Sequence, residues 1–211
     1  MVNVLRTTAW ILMTLLSVGV GIYAIVLVSV LGEGSPDIVH RMPVIGTSHF
    51  VFSGIALIVG PFQFLTRVRQ SHPLVHRSLG RLYLVSVLLG GLAGLAMAPS
   101  SPSGQLVGQV GFGVLALLWL YSGAMAYGSA RRRDFASHRI WMLRNFALTF
   151  GAVTLRIYLG LFAAAGVPFA ESYPLVAWLA WVPNLVLVEW WLHHGAPGRA
   201  TTGAPQGTSV R

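Results

Sequence analysis

The sequence predicts an all-α fold, a six-helix integral membrane bundle, and three observations carry that prediction. Hydrophobic residues make up 55% of the 211 and charged residues only 9%, a balance that soluble domains do not show. Six apolar stretches are each long enough to cross a bilayer. The arginines gather in alternate connections, as they do when basic loops stay on the cytoplasmic side.

Composition narrows the chemistry as well. All 14 basic residues are arginine, five residues are acidic, and there is no cysteine. So few carboxylates argue against acid–base dyads and against hard-cation sites, which need several acidic oxygens. Without cysteine there are no disulfides, thiolate nucleophiles or cysteine-held iron–sulfur clusters, while haem held by histidine stays open. The net charge of +9 belongs to basic loops and does not point to nucleic acid.

The first span is expected over about 7–31. Arg6 precedes it, yet the run is too long for a signal-peptide core and no small-residue cleavage pattern follows, so it reads as a retained helix. Ser17 and Gly21 give it a small-residue contact face. The second span, 44–65, follows Pro43, which suits a helix start. His49, Ser53, Ala56, Gly60, Gln63 and Arg67 fall on one stripe of it, at steps of three and four. Pro61 should kink this helix and free a carbonyl near Gln63. The third span, 79–98, follows the basic loop RVRQSHPLVHR and holds Gly90 and Gly94 in GxxxG register. The fourth, 105–127, is flanked and lined by Gly104, Gly108 and Gly111, which allow close backbone approach.

The fifth span, 139–165, is the one around which the chain is organised. It opens after RRRDFASHR and keeps two arginines, Arg144 and Arg156, inside an apolar run. From His138 to Arg156 a helix rises about 27 Å at 1.5 Å per residue. Holding Arg at such a depth costs roughly 2.5–3.5 kcal/mol, so each should face a partner or a cavity. Helical spacing places His138, Asn145, Thr149, Ala152 and Arg156 on one stripe. The sixth span, 174–193, starts at Pro174, carries a kinking Pro183, and holds Trp178, Trp181, Trp190 and Trp191 toward its ends as interface anchors.

Residues 1–194 thus read as one transmembrane domain, and the Gly/Pro/Thr-rich 195–211 as a disordered cytoplasmic tail. Six spans put both termini on one side. Eleven of the arginines then share the tail side with them and only Arg41 lies opposite. This predicts N-in/C-in topology, with short outer loops, in a bacterial cytoplasmic membrane. The segments beginning His76-Arg77 and His138-Arg139 resemble each other with an offset of one residue. Each opens a helix after a basic loop, which fits either a duplicated helical pair or the common preference of His and Arg for the inner interface.

The pattern of His49, then His76-Arg77, Gly80-Arg81 and Tyr83, then His138-Arg139, Trp141, Arg144 and a later Arg156, resembles a bacterial family of predicted membrane proteins, domain of unknown function 2306. The likeness covers roughly the second to fifth spans. It implies a multi-helix membrane fold with shared polar positions and supplies no activity.

Four chemistries compete for the polar positions. His76 and His138 begin the third and fifth spans at equal depth and so form a candidate axial pair for a b-type haem iron, with Arg77, Arg81 and Arg139 placed to meet its propionates. This is similar to the inner haem of the ascorbate-linked transmembrane di-haem cytochromes, which also have six helices. The fourth span here has no histidine, so an outer axial partner for His49 is missing. His72 and His76 at i, i+4 have zinc-ligand spacing but no third ligand. Arg156 and His49, at similar depth toward the outer leaflet, suit an anion or amphipathic ligand such as a quinone or lipid headgroup. Against this, Arg156 pairs structurally if Asp37, Glu33, Glu171 or a freed carbonyl reaches it; Arg144 is expected to pair with Glu189. Arg131 to Arg133 serve either anionic lipid or simply topology.

The sequence reading therefore sets one polar interior among spans two, three and five. It is lined by His49, Ser53, Gln63, His76, Arg81, Tyr83, His138, Asn145 and Arg156. Its expected work is redox, with a b-haem or quinone carrying electrons part-way across the bilayer. The alternatives are a non-redox carrier or lipid- or anion-binding protein, or a structural subunit of a membrane complex.

Overall fold

The computed structural model describes residues 2–29, 36–101 and 106–194. Glu33, Gly104 and the 195–211 tail lie outside the described residues. Ten α-helices follow one another there: α1 (Val2–Ser29), α2 (Asp37–Arg41), α3 (Pro43–Val59), α4 (Thr66–Ser71), α5 (Pro73–Met97), α6 (Leu106–Arg131), α7 (Phe135–Thr149), α8 (Gly151–Ala164), α9 (Phe169–Leu179) and α10 (Val182–His194). They make six segments long and apolar enough to cross a membrane: Thr7–Val28, Pro43–Phe64, Pro73–Ser100, Leu106–Arg131, Phe135–Ala164 and Phe169–His194. The expected all-helical bundle is therefore present, and no strand occurs among the described residues.

Several bounds differ from the expectation. The third segment starts at Pro73 rather than near 79, and the sixth at Phe169 rather than at Pro174. Hydropathy marks only the apolar part of a helix. A proline at the first position is already set for helical geometry, so α5 begins in the polar sequence ahead of its apolar core.

The second segment ends as expected from Pro61. The α-helix stops at Val59 and a tighter 3-10 turn runs Gly60–Phe64. The Pro61 carbonyl accepts a hydrogen bond from Trp10 Nε1 at 3.3 Å, which ties the start of α1 to the end of the second span.

The fifth and sixth segments, expected as single spans, are each broken in two. Pro183 explains the sixth, because it has no N–H to continue the ladder. The fifth has no proline; its break at Phe150 packs against the first one. A Cβ placed on Gly151 would stand 3.3 Å from the Ala180 carbonyl, so only glycine fits without displacing the neighbouring backbone. Asn184 joins the two breaks: its amide donates to Thr154 Oγ1 at 2.9 Å, to the Ala180 carbonyl at 3.1 Å and to the Ala147 carbonyl at 3.3 Å. Carbonyls loosened by each break thus find a donor without water, as the hydrocarbon requires.

Packing starts from small residues. Ser17 is fully buried, and a Cβ on Gly21 would lie 2.7 Å from the Gly54 carbonyl. α1 and α3 therefore approach backbone to backbone, as the Ser17/Gly21 face predicts. α3 lies along α5, α5 along α6, and α6 along both α7 and α9. The centre is filled by Ala56, Tyr83, Val87, Trp119 and Phe146. Leu12, Leu88, Leu117 and Leu161 stay exposed on the outside, where lipid covers them.

Candidate functional site

The polar positions lie at three levels rather than around one interior. α5 and α7 both run away from the basic end of the bundle, which carries Arg77, Arg131 and Arg139. His76 and Tyr83 are separated by seven residues on α5, and His138 and Asn145 by seven on α7. This shared spacing brings like to like. His76 lies within electrostatic range of His138, and Tyr83 Oη donates to Asn145 Oδ1 at 2.7 Å.

At the basic level, His138 Nδ1 bonds the Ala126 carbonyl at 2.9 Å. An N–H donor is required there, so in the neutral ring Nε2 is the lone-pair nitrogen. His76 Nδ1 and Gln63 Nε2 are buried with no hydrogen-bond partner among the described residues. Gln63 turns its Oε1 toward Gly80, within 3.2 Å of where a Cβ would stand. Arg77, Arg81 and Arg139 are exposed.

The middle level is closed. Asn145 is fully buried, and its amide donates to the Trp119 carbonyl and to Ser122 Oγ, each at 2.8 Å. Thr149 Oγ1 receives Trp119 Nε1 at 2.8 Å, meets Tyr83 Oη at 2.9 Å and donates to the Asn145 carbonyl at 2.9 Å. Tyr83 and Asn145 are thus spoken for by protein. They clamp the third, fourth and fifth spans together, with Trp119 and Ser122 supplied by the fourth. Sequence reasoning passed over that pair. A tryptophan at mid-span rather than at an interface was the available signal, since its buried N–H must find an acceptor.

The third level, farthest from the basic end, is open. A cavity of about 530 Å³ lies between α1, α3, α5, α6, α8 and α9, with Trp119 and Thr149 of the closed network among its walls. His49, Ser53 and Arg156, three of the expected ligand residues, all line it, as do Tyr23 and Tyr173. Most of the rest is apolar, including Leu27, Leu57, Leu155 and Leu159. An apolar chamber with a few convergent polar groups is the usual form of a small-molecule site.

His49 and Arg156 are each held by a backbone carbonyl. His49 Nδ1 bonds the Gly90 carbonyl at 2.9 Å, which leaves Nε2 as the acceptor nitrogen of the neutral ring. A Cβ on Gly94 would stand 2.9 Å from His49 Nδ1, and one on Gly90 3.0 Å from Ser53 Oγ. The GxxxG pair of α5 therefore makes room for two side chains of α3 and, at Gly90, for the Ser53 backbone N, which such a Cβ would meet at 3.2 Å. Arg156 donates Nη1 to the Ala152 carbonyl at 2.8 Å and lies over the Tyr23 ring, 5.4 Å from its centre. Its Nε and Ser53 Oγ are buried without a hydrogen-bond partner among the described residues. No ion pair reaches Arg156 among the described residues: Asp37 holds Arg41 at 3.1 Å and Glu189 holds Arg144.

With that geometry in place, comparison adds one fact. The sequence pattern of the family described as Predicted membrane protein (DUF2306) matches residues 46–192. That stretch contains His49, His76, His138 and Arg156. No curated protein and no solved structure matches the chain.

Proposed function

We propose that this chain, which belongs to the DUF2306 family of predicted membrane proteins, is a multi-pass membrane protein that binds a small amphipathic molecule in the cavity at its outer level. Such a molecule has an oxygen-bearing polar head and an apolar body; quinones and lipids both meet that description. The head takes hydrogen bonds from Arg156 Nε and Ser53 Oγ and meets His49 at Nε2, while the body lies against Leu27, Leu57, Leu155 and Leu159.

One observation carries this reading. Arg156 and Ser53 line the same cavity, and each has a buried donor, Nε and Oγ, without a hydrogen-bond partner among the described residues. A buried polar group left unpaired costs about 1–3 kcal/mol and more when charged, so a ligand that supplies acceptors is strongly favoured there. The test is native mass spectrometry of the purified protein, with extraction and identification of what it retains. The intact chain should keep a stoichiometric amphiphile, and Arg156→Gln should lose it at least tenfold while remaining folded. Equal retention in that variant would end the proposal.

A second reading concerns the basic level. His138 is oriented through Nδ1, which leaves Nε2 as the lone-pair nitrogen, and His76, in electrostatic range, has no partner for its buried Nδ1 among the described residues. Orientation of an imidazole by a carbonyl on its far nitrogen is how iron and zinc ligands are commonly fixed. A b-haem bound there would supply one-electron transfer, with Arg77, Arg81 and Arg139 near its propionates. Reduced-minus-oxidised absorbance of haem-replete protein decides it: a sharp band lost in both His76→Ala and His138→Ala is expected, and a colourless folded protein excludes the pair.

In this reading the basic end faces the cytoplasm, as the arginine distribution implies. The cavity then lies in the outer leaflet of a bacterial plasma membrane.

A further inference from the structure

Among the described residues α1 is held to the bundle mainly along α3. Its small face is pressed against α3, with Gly21 and Gly54 backbone to backbone, and Trp10 pins its beginning to the Pro61 carbonyl. Toward α8 it makes far less contact than toward α3. Yet α1 and α8 both wall the cavity, through Tyr23, Ala24 and Leu27 on one and Leu155, Arg156 and Leu159 on the other.

Tyr23 is a cavity-lining residue and is also 51% exposed. The wall it forms is therefore at the same time the flank of the bundle. Tyr23 belongs to the Thr7–Val28 span, so at that height the flank faces bilayer rather than bulk water. Across the crevice the Arg156 guanidinium lies over the Tyr23 ring at 5.4 Å. That contact is a cation–π pair between two helices that otherwise hardly touch. One such pair is enough to bias a crevice shut and weak enough to yield to a ligand that offers the cation an oxyanion.

We infer that the α1–α8 crevice is a side portal to the cavity, latched by Tyr23 on Arg156, and that the ligand is an acyl-chain lipid with an anionic head drawn laterally from the membrane. The inference rests on the cavity being a ligand site, and adds the route and the source. Arg156 has two successive partners: the Tyr23 ring when the crevice is shut, and the lipid phosphate when the cavity is filled. The acyl chain follows the head into the leucine-lined part of the chamber, toward Trp119 on its floor.

Trp119 gives a direct readout, being only 6% exposed and part of the cavity wall. The full chain is reconstituted in phosphatidylglycerol vesicles whose acyl chains are dibrominated, and the tryptophan emission is compared with that of Trp119→Phe. The difference isolates Trp119, because bromine quenches at short range. Quenching of that component by the brominated chains, faster or deeper in Tyr23→Ala, is the expected result. If brominated lipid leaves Trp119 untouched while aqueous acrylamide quenches it, the ligand enters from water; the portal is then wrong and the binding cavity stands. If neither quencher reaches Trp119, the portal is wrong, and if no amphiphile is retained on purification either, the cavity reading fails with it. Thermal melting of Tyr23→Ala and Trp119→Phe confirms that each variant is folded.

Discussion

Arg144 closes a two-pronged ion pair on Glu189, with Nε at 2.5 Å from Oε1 and Nη2 at 2.9 Å from Oε2, and its guanidinium lies 4.7 Å from the Trp141 ring centre. Arg156, on the same span, ends on no carboxylate among the described residues. The same side chain therefore has two uses. One arginine joins α7 to α10 and is neutralised by protein; the other is left with a buried donor toward a cavity.

The neutralised arginine should be replaceable only together with its partner. Arg144→Met or Glu189→Met alone is expected to cost on the order of 2–3 kcal/mol, below the range for fully buried pairs because both side chains keep some exposure. The double Met variant should recover most of that loss. Equilibrium unfolding of the four proteins in mixed detergent micelles gives the comparison, and additive losses would mean that the pair is not coupled.

Tyr83 and Asn145 should behave as structure and not as ligand contacts. Tyr83→Phe removes the contacts of the hydroxyl with Asn145 Oδ1 and Thr149 Oγ1 and is expected to cost about 0.6–1.7 kcal/mol, from the average to the upper end for such bonds inside membranes. Asn145→Leu removes the bonds to Ser122 Oγ, the Trp119 carbonyl and Tyr83 Oη together, and should cost more, about 1–3 kcal/mol. Amphiphile retention per folded molecule should be unchanged in both. A selective loss of ligand in stable Tyr83→Phe would instead place the hydroxyl in the site.

The glycines of α5 and α8 separate packing from propensity. In Gly94→Ala the new methyl meets His49 Nδ1 at 2.9 Å, so the imidazole must leave the Gly90 carbonyl and ligand retention should fall. Nothing lies within 4 Å of a Cβ on Gly160. Gly160→Ala should therefore leave retention alone and raise helix stability by up to about 1 kcal/mol. Equal effects of the two substitutions on retention would show that Gly94 only follows helix propensity.

The connection between α6 and α7 should confer acid sensitivity. Asp134 caps α7, its Oδ1 accepting the Ser137 backbone N–H at 3.0 Å. Hydrogen bonding by the Ser137 side chain and then by its N–H holds the carboxyl below the ordinary carboxylate range. A depressed folded-state value means the stabilisation is complete above the unfolded value, roughly pH 4, and is lost as the pH falls through the folded one. Melting temperature across pH 3–6, taken as an approximate window, should fall more steeply for the native chain than for Asp134→Ala. Parallel curves would remove the cap's role in acid stability.

The legible part of the site was its chemistry, residue by residue. Charges inside apolar runs are costly, so Arg144 and Arg156 announced a partner or a cavity, and depth alone paired Arg144 with Glu189. Stripe periodicity placed His49 and Ser53 on one face of α3, and Thr149, Ala152 and Arg156 on one face across the Phe150 break; all five line the cavity. Missing from that reading was saturation. Whether Asn145 is a ligand contact or a clamp depends on Trp119 and Ser122, residues of another helix whose approach no local pattern encodes. The break at Phe150 was equally hidden, because its cause is the Ala180 backbone opposite Gly151 and not a proline in its own span.

Sequence by itself determined that the chain is a bundle of membrane-crossing helices, how many there are, and which few polar residues they carry. Those properties follow from solvation. Every apolar run long enough to satisfy its backbone internally becomes a span, and every charge within one must be answered. Only the tertiary structure decided how the charges are answered. It divided one expected interior into a basic level, a closed hydrogen-bonded clamp and an open cavity. The reason is that hydrogen bonds and voids depend on which helices meet and how closely, and glycines such as Gly21, Gly90, Gly94 and Gly151 set those distances from both sides at once.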